Sequence, residues 1–173
     1  MIRFRSEHVK QRLSDLIRGH RVGMLTTAEP DGTLHSRPML TYCSGIDGVL
    51  WLFSHADAPK VQEAEDNHHV NVTYADSLVD HYVSISGTAE VERDRRRMEE
   101  LWDPTLEGWF PGGPGEPNLA LLRVHIQRAE LWDARTNAVA QLICMARNLA
   151  GRGDHCTPIH EKIVFGADTT VSP

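Results

Sequence analysis

An alternating segment at residues 80–92 constrains the fold more strongly than any other part of the sequence. Val83, Ile85 and Ala89 belong to a series of apolar or small residues at every second position, and the positions between them are mostly polar. This period of two predicts a β-strand that presents one face to a core. Segments of similar character predict five more strands, at residues 22–27, 33–42, 49–53, 70–74 and 119–132.

The segments between these strands are mostly short. Pro30-Asp31-Gly32 is a turn sequence and predicts a hairpin between the first two strands. Asp57 and Asp94 are expected to cap helices. The helices are predicted at residues 6–18, 58–65, 95–102 and 137–149. Six strands, most of them consecutive and antiparallel, predict a mainly β fold, namely a six-stranded antiparallel barrel with flanking helices.

The length of 173 residues is typical of one domain and can bury a core without disulfides or metal. We therefore expect residues 1–173 to form a single domain, with a helical C-terminal extension at about residues 137–150. The net charge of −6 offers no basic field for nucleic acid or anionic lipid. The longest apolar runs have only the length of strands, so no membrane span is predicted.

The cysteines favour a reducing compartment. Cys43, Cys144 and Cys156 are odd in number, widely separated and without a C-x-x-C motif, as in cytoplasmic proteins. The charged N-terminal segment lacks the apolar region of a signal peptide, which favours the same cytoplasmic location. Histidine and acidic residues near Cys156 lack the defined spacing of zinc ligands, and no metal site is predicted.

A series of short segments, spread over nearly the whole chain, carries a family resemblance. Each is weak alone, but they occur together and in order: Met24-Leu25-Thr26-Thr27, His35-Ser36-Arg37-Pro38-Met39, Trp51-Leu52-Phe53-Ser54, Pro59-Lys60-Val61, Tyr82-Val83-Ser84-Ile85-Ser86-Gly87, Glu100-Leu101-Trp102, Trp109-Phe110-Pro111, Pro117-Asn118-Leu119 and Ala129-Glu130-Leu131-Trp132-Asp133. The series resembles the general stress protein branch of the pyridoxamine 5'-phosphate oxidase-like family, whose members are FMN-binding split barrels. The resemblance implies a homodimer with two equivalent FMN sites at the subunit interface.

The same resemblance implies which side chains would contact FMN. In this family the Arg-Pro-Met strand lies along the cofactor, and its arginine approaches the phosphate. An aromatic and a small hydroxyl residue lie beside the flavin, a proline and a lysine begin the next helix, and tryptophans complete the pocket. The corresponding residues here are Ser36, Arg37, Pro38, Met39, Phe53, Ser54, Pro59, Lys60, Trp109 and Trp132.

The chemistry of three of these residues supports the choice. An arginine within a strand can bind a phosphate through two parallel hydrogen bonds, although Arg37 alone would be read as a surface side chain. Pro38 removes a backbone donor, so it marks a strand edge, a bulge or an interrupted ladder. Lys60 lies in the first turn of a helix, where its charge opposes the helix dipole but suits a bound anion. Phe53 and Trp132 are equally consistent with a core position.

The sequence leaves the activity open. Where the family has Ser-Pro-Lys, this chain has Ala58-Pro59-Lys60, so one hydroxyl ligand for the phosphate is missing. No catalytic residue is identified, and three hypotheses stand: an FMN-dependent oxidoreductase using a nicotinamide or small-molecule donor, a flavin storage or sensing protein, and a dimeric module with a changed ligand. Oxidation of pyridoxamine 5'-phosphate itself is not expected, because the C-terminal Arg and His signature of true oxidases is absent.

Overall fold

In a computed structural model of the chain, the described residues are 2–19, 21–43, 48–76, 81–133, 159–164 and 170–172. The helices are α1 (Ile2–Gly19), α2 (Pro59–Asp66) and α3 (Arg95–Leu101), with 3-10 helices at Pro104–Gly108 and Gly113–Gly115. The strands are β1 (Val22–Ala28), β2 (Leu34–Cys43), β3 (Val49–His55), β4 (His69–Asp76), β5 (His81–Glu92), β6 (Leu119–Asp133), β7 (Ile159–Val164) and β8 (Thr170–Ser172). The predicted helix at residues 137–149 and the extension to residue 150 lie outside the described residues. Within the described ranges, no helix is long and apolar enough to cross a bilayer.

Strands β1 to β6 form a closed antiparallel barrel. Their order is β3-β2-β1-β4-β5-β6, and β3 also pairs with β6, which closes the ring. The predicted mainly β fold, a six-stranded antiparallel barrel, is confirmed. The count of six strands was too low for the sheet as a whole, because β7 and β8 extend it beyond β6. These two strands are short and lie in a polar part of the sequence, where alternation is too brief to detect.

The alternation along β5 separates the barrel interior from its outer face. Val83, Ile85 and Ala89 are buried in the core, and Tyr82 and Glu90 are exposed. Since residues opposite each other in neighbouring strands share a face, the register extends this division around the barrel. The outer face of β1, β4, β5 and β6 is therefore a continuous surface.

Strand β3 is buried on both faces, which fits its nearly all-apolar sequence. Leu50 and Leu52 point into the barrel core. Trp51 and Phe53 point outward and belong to a second apolar cluster, which includes Leu106 from the segment between α3 and β6. The sheet at β3 is thus covered on its outer side by the chain that leads into β6.

Although the ring of strands is closed, β2 and β3 are separated along part of their length. Strand β2 pairs with β1 from Leu34 to Leu40, but it pairs with β3 only through Thr41, Tyr42 and Cys43. Residues 34–40 therefore form an edge on the β3 side within the described sheet. Pro38 lies in this edge, where its missing N–H costs no ladder hydrogen bond. The gap between this edge and the end of β3 is the split in the barrel.

One of the two predicted helix caps is confirmed and the other is wrong. The Asp94 side chain accepts hydrogen bonds from the backbone N–H groups of Arg96 and Arg97 at the start of α3. Helix α2 instead begins after Ala58, which has no side-chain acceptor. The Asp57 carboxylate accepts a hydrogen bond from the Asn118 side-chain amide at 2.8 Å. A tertiary contact has therefore replaced the local cap.

The close approach of β5 and β6 gives a test of the barrel. A Cβ atom at Gly87 would lie 2.2 Å from the carbonyl oxygen of His125, beside an irregularity in the β5–β6 register. We expect Gly87→Ala to lower the melting temperature by roughly 4–10 °C, because overpacking costs about 1–3 kcal/mol. Gly108→Ala is the matched control, since no atom lies within 4 Å of its Cβ position. Equal melting temperatures for the two variants would contradict this packing.

Candidate functional site

A cleft of about 200 Å³ lies at the split, between the outer side of β1–β3 and the segment that precedes β6. Strands contribute most of its floor, the two aromatics that follow Pro104–Gly108 form a wall, and Lys60 comes from α2. Its lining is mostly apolar: Val22, Pro38, Met39, Leu40, Phe53, Ser54, His55, Lys60, Leu106, Trp109 and Phe110. Such a lining suits a flat apolar group with a polar or charged end.

The wall of the cleft is built on Phe53. Its ring contacts Tyr42 and Trp102 edge to face, with centroids 5.6 Å and 5.7 Å away, and Phe110 at 6.3 Å. The Phe110 ring in turn meets the His55 ring at 4.8 Å. Contacts of this geometry add to the area that the rings bury. The wall is therefore preformed by packing within one chain.

The two loop aromatics behave differently. Phe110 packs in the second apolar cluster and is only 6% exposed. Trp109 lines the cleft but remains 68% exposed. A tryptophan so exposed at the mouth of an apolar cleft is a common feature of a binding surface.

The polar end of the cleft lies where β3 gives way to α2. Ser54 is buried, and its hydroxyl donates to the carbonyl oxygen of His55 at 3.1 Å. Lys60, the second residue of α2, is the one Lys or Arg among the described residues that line the cleft. Burial, and then the nearby charge of Arg37, lower the pKa of Lys60, and Glu63 partly offsets this. A bound anion would relieve the cost of this partly buried charge.

Arg37 lies behind the cleft in an internal ion pair. Its guanidinium donates to the Glu63 carboxylate at 2.8 Å and to the Thr27 hydroxyl, which in turn donates to the same carboxylate. The side chains of Arg37 and Glu63 are both mostly buried. Although burial raises the pKa of Glu63, the hydrogen bonds from Thr27 and Arg37 hold it below its ordinary value. The charge of Arg37 is thus already balanced within the chain.

The structure brings together six of the ten residues that the sequence selected. Those that line the cleft are Pro38, Met39, Phe53, Ser54, Lys60 and Trp109. Ser36 is exposed and shares a hydrogen bond with Thr26, and Pro59 is the exposed first residue of α2. Trp132 lies near the far end of β6, opposite Tyr82. Arg37 lies behind the cleft, as described above.

Sequence reasoning did not select five of the lining residues. These are Val22, Leu40, His55, Leu106 and Phe110. Val22 and Leu40 face the cleft because they are opposite each other in the β1–β2 register, which a single sequence does not specify. His55 could have been found, since it directly follows Ser54 at the predicted end of a strand.

A second group of titratable side chains lies near the β1–β2 hairpin. Side-chain atoms of Glu29, His35 and Glu63 lie within 4.8 Å of one another. Glu63 already accepts hydrogen bonds from Arg37 and Thr27, and Glu29 lies 3.5 Å from His35. We assign the group to the charge network around Arg37.

Together the barrel and the cleft define a split-barrel protein with an apolar cleft at the split. The sequence profile of the family described as pyridoxamine 5'-phosphate oxidase like matches residues 8–154. The chain belongs to this family. It is 28% identical over 131 residues to general stress protein 26 of Bacillus subtilis strain 168, an alignment that covers 74% of this chain and 91% of that protein.

Solved structures agree with this assignment. General stress protein 26 from Bacillus anthracis strain Sterne has a TM-score of 0.65 and 27% identity, over 72% of this chain and 93% of that one. The general stress FMN/FAD binding protein from Xanthomonas citri has a TM-score of 0.66 and 27% identity, over 77% of this chain and 94% of that one. The predicted family resemblance is confirmed.

The Arg37–Glu63 pair gives a stability test with a defined pH dependence. We expect Glu63→Gln to lower the free energy of unfolding at pH 7 by about 2–3 kcal/mol, because Arg37 loses its buried counter-charge. Glu65→Gln on the same helix removes a half-exposed pair with Arg93, and its expected cost is under about 1 kcal/mol.

The sign of the pH effect follows from the lowered pKa of Glu63. Because the pKa of Glu63 is lower in the folded chain than its ordinary value of 4.5, the ionised carboxylate stabilises the fold at pH values above 4.5. This contribution is lost as the pH falls through the pKa of the folded state. The difference between wild type and Glu63→Gln should therefore shrink below about pH 4 in urea titrations. A difference that stays constant from pH 7 to pH 3.5 would exclude the charged pair.

Proposed function

We propose that the cleft binds FMN and that the protein is a flavin-dependent oxidoreductase of the general stress protein type. One observation carries this proposal: an aromatic-walled apolar cleft ends at a partly buried lysine in the first turn of a helix. A flavin has the matching shape, with a planar apolar ring at one end and a phosphate at the other. Backbone N–H groups at a helix start favour an anion, and the lysine adds a full charge.

We assign the parts of the cofactor to parts of the cleft as follows. The ring would lie along the free edge of β2 at residues 36–39, between Phe53 and Trp109. The phosphate would be bound by Ser54, Lys60 and the backbone after Pro59. Arg37 would not bind the phosphate directly, because its charge is already balanced by Glu63. The family's use of a strand arginine near the phosphate is thus carried over to this chain only in a supporting role.

We further propose that a homodimer completes the site. A cleft of about 200 Å³ is smaller than the roughly 300–1,000 Å³ of pockets that enclose such ligands, so further walls are needed. Val22, Met24, Leu34 and Tyr82, all on the outer face of the sheet, are between 40% and 71% exposed. Apolar side chains grouped on one face favour a protein partner. The cleft opens on this face through Val22, so a second subunit there would cover it.

The dimer also gives Trp132 a role. It lies on the same outer face as Tyr82, but at the end of β6 away from the cleft of its own chain. A two-fold axis through the sheet would place the corresponding residue of the partner nearer to the cleft. We therefore propose that each site uses Trp109 of one subunit and Trp132 of the partner subunit.

The redox chemistry would be supplied by the bound flavin, which exchanges electrons with a nicotinamide or another small-molecule donor. The residues of this chain would orient the ring, hold the phosphate and exclude water. A storage or sensing role is the alternative, and reduction of the bound flavin by NAD(P)H distinguishes an enzyme from a carrier. Pyridoxamine 5'-phosphate is not the proposed substrate. The odd number and wide spacing of the cysteines support a cytoplasmic location.

Titration with FMN tests the site. We expect saturable binding, and we expect Lys60→Ala to weaken it about 10- to 100-fold, because one charge-assisted contact to the phosphate is lost. Lys162→Ala is the matched control, since Lys162 pairs with Glu130 on β6 and does not line the cleft. Riboflavin, which lacks the phosphate, should bind wild type and Lys60→Ala equally. Unchanged FMN affinity in Lys60→Ala would remove this lysine from the site.

Sedimentation tests the dimer. Met24→Glu places a charge in the middle of the exposed face and should convert dimers to monomers, because a desolvated unpaired charge is costly. FMN affinity should fall with the dimer fraction if the partner completes the site. Gln62→Glu adds the same charge on the exposed side of α2 and should leave both properties unchanged. A Met24→Glu protein that remains dimeric would place the interface elsewhere.

A further inference from the structure

The charges around the cleft balance in pairs except at Lys60. Arg37 is paired with Glu63 inside the chain. On the opposite side of the cleft, the Nε2 atom of His55 lies 3.4 Å from a carboxylate oxygen of Glu116. If His55 is neutral, Lys60, His55 and Glu116 taken together have no net charge, although Lys60 itself has no ion pair among the described residues. If His55 carries a proton, the same three groups sum to one positive charge.

The His55–Glu116 pair is fixed in place by backbone contacts. His55 is the last residue of β3, and the backbone N–H of Ala56 donates to the carbonyl oxygen of Asn118 at 2.8 Å. The segment that carries Glu116 turns through a hydrogen bond from its own N–H to the carbonyl of Gly113. The imidazole packs edge-on against Phe110 and lines the cleft beside Ser54 and Lys60.

One oxygen of Glu116 is available to hold a proton on the imidazole more tightly. Glu116 Oε2 is buried and accepts no hydrogen bond among the described residues, and the side chain as a whole is 19% exposed. A small rotation of either side chain would bring the imidazole and this carboxylate into a full hydrogen bond, which would hold the ring in place. Ala58, at the start of α2, has no polar side-chain atom that could bind the imidazole in place of Glu116.

We propose that protonated His55, held by Glu116, is the second cationic ligand for the phosphate of a flavin nucleotide in this cleft. This inference rests on the proposed function of the site and adds that its affinity depends on pH. The phosphate lies between Lys60 on α2 and His55 at the end of β3, and the imidazole compensates for the missing hydroxyl at Ala58. Glu116 positions the imidazole and does not touch the ligand.

The other charged groups near His55 are Lys60, Glu116 and Asp57. Lys60 faces it from α2, and Glu116 faces it from the segment before β6. Asp57, two residues after His55 in the chain, is exposed and bound to Asn118. The residues that β1 and β2 contribute to the cleft are all apolar. Histidine is the side chain type whose charge can change near neutral pH, so FMN affinity is compared on both sides of neutrality.

The test is FMN affinity at pH 6.0 and pH 8.5, measured by flavin fluorescence for wild type and His55→Gln. The titration of the phosphate itself, near pH 6, affects both proteins and cancels in their ratio. We expect wild type to bind FMN about five- to tenfold more tightly than His55→Gln at pH 6.0 and within about twofold of it at pH 8.5. Thermal melts of both proteins establish that each is folded.

Two further comparisons locate the effect. His55→Lys carries a charge at both pH values and should bind FMN tightly at both. Riboflavin should show no difference between wild type and His55→Gln at either pH, because it has no phosphate. Equal pH dependence of FMN binding in wild type and His55→Gln would overturn the proposal, and so would a matching pH effect with riboflavin. If wild type binds neither FMN nor riboflavin, the proposed function fails and this inference fails with it.

Discussion

The pairing of β3 with β6 is the constraint on which the candidate site depends. It runs from Val49 opposite His125 to His55 opposite Leu119, and it closes the barrel. Since the chain must enter β6 beside the end of β3, residues 104–118 are brought across the outer face of β3. Phe110 then packs on Phe53, and this contact forms the wall of the cleft. The cleft is thus a consequence of barrel closure and needs no ligand to form.

The charges near the cleft are arranged so that one is left for a ligand. A strand arginine could bind a phosphate, but the Arg37 guanidinium already donates hydrogen bonds to Glu63 and Thr27. This ion pair fixes α2 against β1 and β2, and it thereby fixes the position of Lys60. The carboxylate nearest to Lys60 along its own helix is that of Glu63, and Glu63 is already paired with Arg37. Lys60 therefore has no carboxylate partner of its own on this helix. An anionic end group would complete this arrangement.

Local sequence patterns predicted the barrel well, because alternation and turn residues act over a few positions. The β5 segment and the Asp94 cap are examples. Contacts between distant residues were not predictable from a single sequence. Arg37 meets Glu63 across 26 positions, and Asp57 meets Asn118 across 61, so both side chains took roles that local rules do not indicate. Most of the cleft residues were found through the family resemblance, and those found only in the structure depend on strand register.

We propose that two chains together hold FMN at their interface. Native mass spectrometry of the protein after incubation with FMN and removal of free ligand tests it most directly, because chain count and ligand count are read from one spectrum. We expect a dimer that carries two FMN molecules, with monomers free of flavin. A monomer that retains FMN, or a dimer that retains none, would contradict it.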